Sequence, residues 1–216
     1  GNGNRKQETR GTAVTSYGYA AASNRLQGLS GAQARSYAYD AAGNMTSNGT
    51  VTMTYDGRGR LTQLSSGHRY AINGAGQRVA KSGPGVATGT NYFVYDEHGR
   101  MIGEYDATGA VRRALFYLAD TPVASARTAA GGGVDIDPIY ADHLDTPRVI
   151  FNQANKKVWQ WLTDTFGTRN ANEDPNGTGT LFAFKLRFPG QYLDTETGLH
   201  YNYFRDYDPG EGRYVQ

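Results

Sequence analysis

The sequence predicts an all-β chain of consecutive antiparallel β-hairpins forming a curved, twisted sheet. Three observations predict it. One phrase recurs along the chain: Tyr, Asp, two residues, Gly, a polar residue, an aliphatic one. Ahead of each Asp the residues alternate with the period of two that marks a strand, as in Ser36-Tyr37-Ala38-Tyr39 and Val51-Thr52-Met53-Thr54-Tyr55. Helix signals are scarce, while Gly makes up 29 of 216 residues, about twice its usual share.

The phrase reads YDAAGNMT from Tyr39, YDGRGRLT from Tyr55 and YDEHGRMI from Tyr95, with a looser YDATGAVR from Tyr105. Worn copies start at Tyr19 and Tyr70, and the opening GNGNRK reads as the second half of another. That half-copy predicts a chain that begins inside a longer array. The starts from Tyr39 onward are 16, 15, 25 and 10 residues apart. Such irregular spacing excludes identical stacked coils and fits hairpins with loops of varying length.

Asp40, Asp56, Asp96 and Asp106 each open a turn, because an Asp carboxylate accepts bonds from backbone a few residues on. Gly43, Gly59, Gly99 and Gly109 follow three residues later, where the loop needs a positive φ. The predicted strands cover 35–40, 44–47, 50–55, 60–64, 68–72, 77–81, 91–95, 100–105 and 110–118. Residues 154–161 fit a helix, but Val158, Trp159 and Trp161 after the turn at 152–155 favour a strand. The small, Gly-rich stretch 125–134 and the turn-rich stretch 170–180 are predicted loops. Neither separates halves of different composition. The chain therefore reads as one domain or part of one, with a hairpin array over 1–118 and a second β region over 119–216.

Composition excludes several functions. There is no Cys, hence no disulfide and no Cys-based zinc site. The four histidines are not paired at a metal-ligand spacing, so no metal or other cofactor is expected. A net charge of +2 is too even to predict nucleic-acid binding. No apolar run is long enough to span a membrane, and no signal peptide is visible.

The YDxxGR/N phrases resemble the YD repeats of the RHS (rearrangement hot spot) family. YLADTPVAS (117–125), IYADHLDTPRVI (139–150), VWQWLTDTFG (158–167) and LRFPGQYLDTETGLHYNYFRDYDPGEGRYV (186–215) resemble the end of the bacterial RHS core. The resemblance implies part of a spiral β shell that encloses a C-terminal toxin, delivered by a bacterial secretion system as part of a larger protein. It implies the remaining shell and that toxin as partners, and it leaves a secretion-system spike, a chaperone and a glycan open. It also marks His143, Arg148, Arg187, Pro189, Gly190, His200, Tyr201, Asp208 and Pro209 as positions of the specific stretches. Asp145 stands where the family often has Gly, a turn position that Asp tolerates. The family's DPxGL segment, linked to aspartyl self-cleavage, is absent after GRYVQ, so no enzymatic activity is expected.

The repeated Asp residues are expected to be turn openers rather than calcium ligands, which would have to converge from one short loop. Asp208 is the one weak catalytic candidate; self-cleavage needs a carboxylate pair sharing a proton, and turn initiation before Pro209 competes with that role. His143 and His200 are expected to be structural histidines. Phe188, Tyr192, Leu199, Tyr201, Tyr203 and Phe204 read as a packed aromatic cluster, with Tyr201 and Tyr203 on one strand face and Phe204 on the other. Interleaved Tyr17, Tyr19, Arg25, Arg35, Tyr37, Tyr39, Tyr55, Arg58 and Arg60 fit packing within the sheet. They leave a carbohydrate or cell-surface binding module open as an alternative, beside part of a self-cleaving processing domain.

Overall fold

The computed structural model describes residues 3–216, so Gly1 and Asn2 of the opening half-copy lie outside the described residues. Among those described there is no helix, and none is long and apolar enough to cross a membrane. Every paired strand is antiparallel to its neighbour, and the chain divides into two compact units after Gly67.

In the first unit, β1 (Gln7–Arg10), β2 (Ala13–Tyr19), β3 (Leu26–Gly31) and β4 (Arg35–Ser36) form a sheet in chain order. Two hairpins follow, β5 (Ala38–Tyr39) with β6 (Met45–Ser47) and β7 (Met53–Tyr55) with β8 (Leu61–Leu64). In the second unit each strand pairs with the next: β9 (Arg69–Ile72), β10 (Arg78–Ser82), β11 (Thr90–Tyr95), β12 (Met101–Asp106), β13 (Val111–Leu118), β14 (Thr121–Thr128), β15 (Val134–Ala141), β16 (Pro147–Phe151) and β17 (Lys157–Gln160). A small sheet of β18 (Tyr192–Leu193), β19 (His200–Asn202), β20 (Arg205–Asp208) and β21 (Arg213–Tyr214) closes the unit.

One turn makes eight of these hairpins. The N–H of its first residue donates to the carbonyl four residues on, and the N–H of its fourth residue donates back to the first carbonyl. Both bonds occur at Asp40, Asp56, Asn73, Asp96, Asp106, Ala129, Asp142 and Asn152. Except at Ala129, the first side chain also accepts from backbone inside the turn, as Asp96 Oδ1 does from His98 and Arg100 at 3.0 and 2.9 Å. The fourth residue has positive φ: 101° at Gly43, 73° at Gly59, 83° at Gly99 and 84° at Gly109. Asp145 at 60° and Asn155 at 54° take the same place, and both residue types tolerate it better than most. The register shifts by one residue beside these turns, the bulge that such a loop imposes on its hairpin.

The Tyr of the phrase does a second job. Tyr39 Oη donates to the Leu26 carbonyl, Tyr55 to Met45 and Tyr95 to Arg78, and Tyr117, outside the phrase, does the same to Met101, at 2.8–3.1 Å. Each acceptor begins the strand after an earlier turn. The phenol thus ties one hairpin to the one before it while its ring packs on the sheet. Tyr105 is the looser case: its ring lies over Gly103, where a Cβ would come within 2.7 Å of it.

Two expectations are corrected. Residues 125–128 are not loop but the end of β14, paired Ser125 to Asp137 and Thr128 to Val134; the turn is confined to 129–133. Ala and Ser satisfy the ladder there through their backbones, whatever their weak strand propensity. Tyr203 and Phe204 do not lie on strand faces. They form the two-residue turn between β19 and β20, with Tyr203 at φ 58° and Phe204 47% exposed. The expected boundary after Leu118 falls on the tight turn between β13 and β14.

The core of the second unit lies on one face of its long sheet. Leu115 of β13, Ile139 of β15, Ile150 of β16 and Trp159 of β17 meet Trp161, Phe182 and Phe184. The stretch 181–188 crosses that face in extended form: Phe182 and Phe184 point in, while Leu181 and Ala183 are exposed.

Two glycines with nearly the same φ separate strain from crowding. A Cβ at Gly109 would meet nothing within 4 Å, whereas at Gly99 it would lie 2.7 Å from the Tyr203 ring. Gly109→Ala should cost about 1 kcal/mol, the left-handed penalty alone, and Gly99→Ala about 1–3 kcal/mol more. Urea unfolding midpoints check this; equal losses would show that the Tyr203 ring moves away freely.

Candidate functional site

The most concentrated chemistry lies where the C-terminal stretch meets β9 and β10. Strand alternation aims Arg78 and Lys81 at the same side through the register irregularity between Arg78 and Ala80. The turn after β18 begins at Asp194, whose backbone carbonyl accepts from Thr197 and Gly198, and this presents the carboxylate to both cations. Arg78 donates through Nη1 to Asp194 Oδ2 and Lys81 Nζ to Asp194 Oδ1 at 3.0 Å. Lys81 also pairs with Glu196 at 3.2 Å, and Tyr70 Oη donates to that carboxylate at 2.8 Å. The side chains of Arg78 and Asp194 are only 3% and 1% exposed.

Aromatic rings enclose the charges. The Arg78 guanidinium lies 3.9 Å from the Tyr201 ring centre and 4.7 Å from that of Tyr70. Tyr201 Oη accepts from the Arg78 backbone N–H at 2.8 Å, and Tyr95 donates to its carbonyl. Burial by itself would raise the Asp194 pKa, but Arg78 and Lys81 outweigh it and hold the carboxyl below its ordinary range. Asp194 is therefore ionised, and both oxygens are occupied. It serves as a clamp joining residues 116 apart in sequence, not as a proton donor.

A second layer holds Arg187 and His200. Arg187 is buried, donates to the carbonyls of Phe184 and Leu186 at 3.0 and 2.8 Å, and lies 5.2 Å from the Trp161 ring centre. Burial lowers its pKa to about 10. His200 is also buried, with Nδ1 2.7 Å from Gln191 Oε1 and its ring edge-on to Trp161. Desolvation, with Arg187 nearby, lowers its pKa to about 4, so the ring is neutral at pH 7. Pro189 and Gly190 form the turn between these residues; Gly190 has φ 76°, and Gln191 N–H donates to the Phe188 carbonyl.

The other marked residues lie apart from the clamp. His143 is exposed inside the turn at 142–145. Arg148 Nε donates to Asp142 Oδ2 at 2.9 Å, and its guanidinium sits 5.6 Å from the Trp161 ring centre. Asp208 starts the last turn: it accepts from Glu211 N–H through Oδ1 and from Gly212 N–H through its carbonyl, with Pro209 inside the turn. The carboxylates of the repeat turns hold no metal-like constellation among the described residues. Their oxygens receive turn donors instead, which depress the pKa: at Asp40 chiefly the Asn44 side chain, at Asp96 backbone and side-chain donors of Arg100 against partial burial. Sequence reasoning missed Arg78, Lys81 and Asp194. The available signal was Arg78 and Lys81 flanking Val79 and Ala80 in a short strand, and Asp194 directly after Tyr192-Leu193.

The family model of the teneurin YD-shell matches residues 4–125, more than half of the chain. The chain belongs to the teneurin YD-shell family. Among curated proteins, this YD-shell chain is 29% identical over 196 residues to double-stranded DNA deaminase toxin A of Burkholderia cenocepacia, covering 78% of the chain and 14% of that toxin. It is 32% identical to toxin protein Tse5 of Pseudomonas aeruginosa over 48% of the chain and 7% of Tse5. To the probable deoxyribonuclease RhsB of Dickeya dadantii it is 29% identical, over 72% of the chain and 11% of RhsB. The chain thus spans a small fraction of the length of the relatives it matches. The Photorhabdus luminescens Tc holotoxin pore shares its fold at TM-score 0.58 and 14% identity, over 94% of the chain and 12% of that structure. The TcdB2-TccC3-TEV structure does so at TM-score 0.57 and 15% identity, over 94% of the chain and 12% of that structure. It is an RHS/YD-repeat protein, and its place in that fold is structural.

Two measurements check the clamp and the histidine. Arg78→Met should cost about 3–5 kcal/mol, since it leaves Asp194 buried with one cation fewer, and pairing it with Asp194→Leu should cost less than the sum of the two. Chemical denaturation of the three variants reads this; additive losses would show that the pair is not coupled. For His200 the folded pKa lies below the unfolded 6.5, so its contribution is intact above pH 6.5 and lost as pH falls towards 4. Stability should drop by up to about 3 kcal/mol across that window, and His200→Gln should flatten the slope.

Proposed function

We propose that this chain is a non-catalytic length of wall in a bacterial toxin shell, which encloses a toxin domain and keeps it partly unfolded until delivery. The observation that carries this reading is the unbroken run of antiparallel strands from β9 to β17, with the C-terminal stretch clamped onto one face by a fully buried ion cluster. A run of that kind extends by adding hairpins, and buried charge fixes where the last segment docks. Its partners in this reading are the remaining shell and the enclosed toxin, with a secretion-system spike or chaperone engaging the assembled shell. In this reading the deaminase and deoxyribonuclease activities named for relatives are not carried over to this chain, which spans only 14% and 11% of those proteins. The uncovered face of the sheet carries exposed Tyr92, Val94, Phe116, Ile136 and Tyr140, an apolar surface suited to an unfolded chain or to neighbouring wall.

Limited proteolysis of the full-length protein tests the reading. The toxin domain should resist cleavage until the shell is denatured, and deletion of residues 68–215 should expose it. Cleavage at the same rate with and without that segment would overturn the proposal. The 216-residue chain alone presents open strand edges and should associate, as light scattering at increasing concentration would show.

A further inference from the structure

The long sheet has a second face, opposite the one that the C-terminal stretch covers, and the strand register fixes what lies on it. Val94, Gly103, Ala114, Ala126 and Ile136 stand in one row across β11 to β15, each directly opposite the next. Phe116, Ala124 and Pro138 form the row beside it. Tyr92 pairs with Tyr105 on one flank, and Tyr140 pairs with Val149 on the other. Neighbours along a strand alternate between faces, so the buried Leu115, Ser125 and Asp137 point to the covered side. No charged residue stands at any of the positions in these rows and flanking pairs.

This face is open and wide. Tyr92, Val94, Phe116, Ile136 and Tyr140 are 43–59% exposed. The strands β11 to β16, at ~4.8 Å between strands and ~3.3 Å per residue, give it a plan of roughly 600 Å². Accessible surface exceeds plan area because side chains stand in relief. The face therefore passes the ~300–600 Å² of the largest apolar patch on a typical monomer and approaches the ~800 Å² per partner of a standard interface. Its relief also suits itself. Ala114 and Ala124 are partly exposed and make a shallow hollow, and Phe116 and Ile136 rise beside it. A charged or strongly polar occupant would lose its hydration here and find no partner. An occupant must be flat, uncharged, of matching twist and similarly knobbed, and this face has each of those properties.

We propose that the uncovered face of the long sheet docks the same face of a second copy of this chain. The two sheets form an aligned β-sandwich about 10 Å thick around a twofold axis, crossed by about 30° because both twist in the same hand. Phe116 of each copy enters the hollow at Ala114 and Ala124 of the other. The backbone groups of β12 to β16 are already paired within their own sheet, so the contact needs side-chain packing alone. The pair closes at two copies, unlike association through open strand edges, which can continue without limit. It concerns this face alone and does not depend on whether the chain walls a shell.

Sedimentation equilibrium of the 216-residue chain and three variants tests this. The parent should form a dimer with a Kd of about 1 μM or tighter. Phe116→Glu and Ile136→Lys, which put a charge into the contact, should each weaken it about a hundredfold or more. Leu181→Lys, at a 72% exposed residue of the stretch on the other side of the sheet, should leave it unchanged. Emission from the buried Trp159 and Trp161 shows whether each variant is folded. A parent that is monomeric at about 100 μM, growth beyond two copies through the edges alone, or equal losses from Leu181→Lys and Ile136→Lys would each overturn the pairing. Should the face variants fail to fold, hydroxyl-radical labelling of the unaltered chain decides. Labelling of Tyr92, Phe116 and Tyr140 must fall as the chain is concentrated, while that of the exposed Phe166 and Phe204 must not. Undiminished labelling of the first three would assign the face to a different partner.

Discussion

Eight hairpins of this chain turn on one backbone position, the fourth residue of the repeat turn, which must take positive φ for the strand to reverse with its bulge. Gly occupies it at 43, 59, 76, 99 and 109, and Asp145 and Asn155 occupy it where Gly is absent. An Asp or Asn at the first position answers the backbone donors that the reversal would otherwise leave unmet. Without that pair the alternating stretches between turns would have no defined register, and a slip of one residue would move each strand's apolar side to the wrong face.

The Tyr that opens the phrase converts a row of separate hairpins into a sheet. Its hydroxyl takes a carbonyl from an earlier hairpin, and burial around it raises its pKa, as at Tyr95 and Tyr117, so it stays a proton-bearing donor at any ordinary pH. This explains why the chain is rich in Tyr rather than Phe: the ring supplies area, and the hydroxyl supplies a bond between hairpins. The acidic residues of the repeat are consumed in the same way. Their low pKa values record turn geometry, and their stabilising contribution is present above the unfolded carboxylate range and lost in acid.

The C-terminal stretch follows different physics. It has few ladder bonds of its own and is held by rings and by charge: Phe182, Phe184 and Tyr192 fill the face of the long sheet, while Asp194 draws Arg78 and Lys81 into a dry pocket. Apolar burial alone would allow that stretch to slide along the sheet. A buried ion pair is satisfied in only one placement, so it fixes where that stretch docks on the sheet.

Local chemistry was legible in the sequence by itself. The all-β class, most hairpin strands between 44 and 118, the turn roles of Asp40, Asp56, Asp96 and Asp106, and the tolerance for Asp145 all follow from contacts within a few residues, which composition and spacing record directly; the expected strand 35–40 is instead divided between two sheets. The tertiary structure alone decided the rest. It made strands of residues 125–128, because a backbone ladder overrides weak propensity, and it put Tyr203 and Phe204 in a turn, because two-residue reversal suits the pairing of Asn202 with Arg205. It also brought Arg78 and Lys81 to Asp194. Those meetings join positions about a hundred residues apart, and no local pattern encodes which buried charge will answer which, because the partner is chosen by how the whole sheet folds.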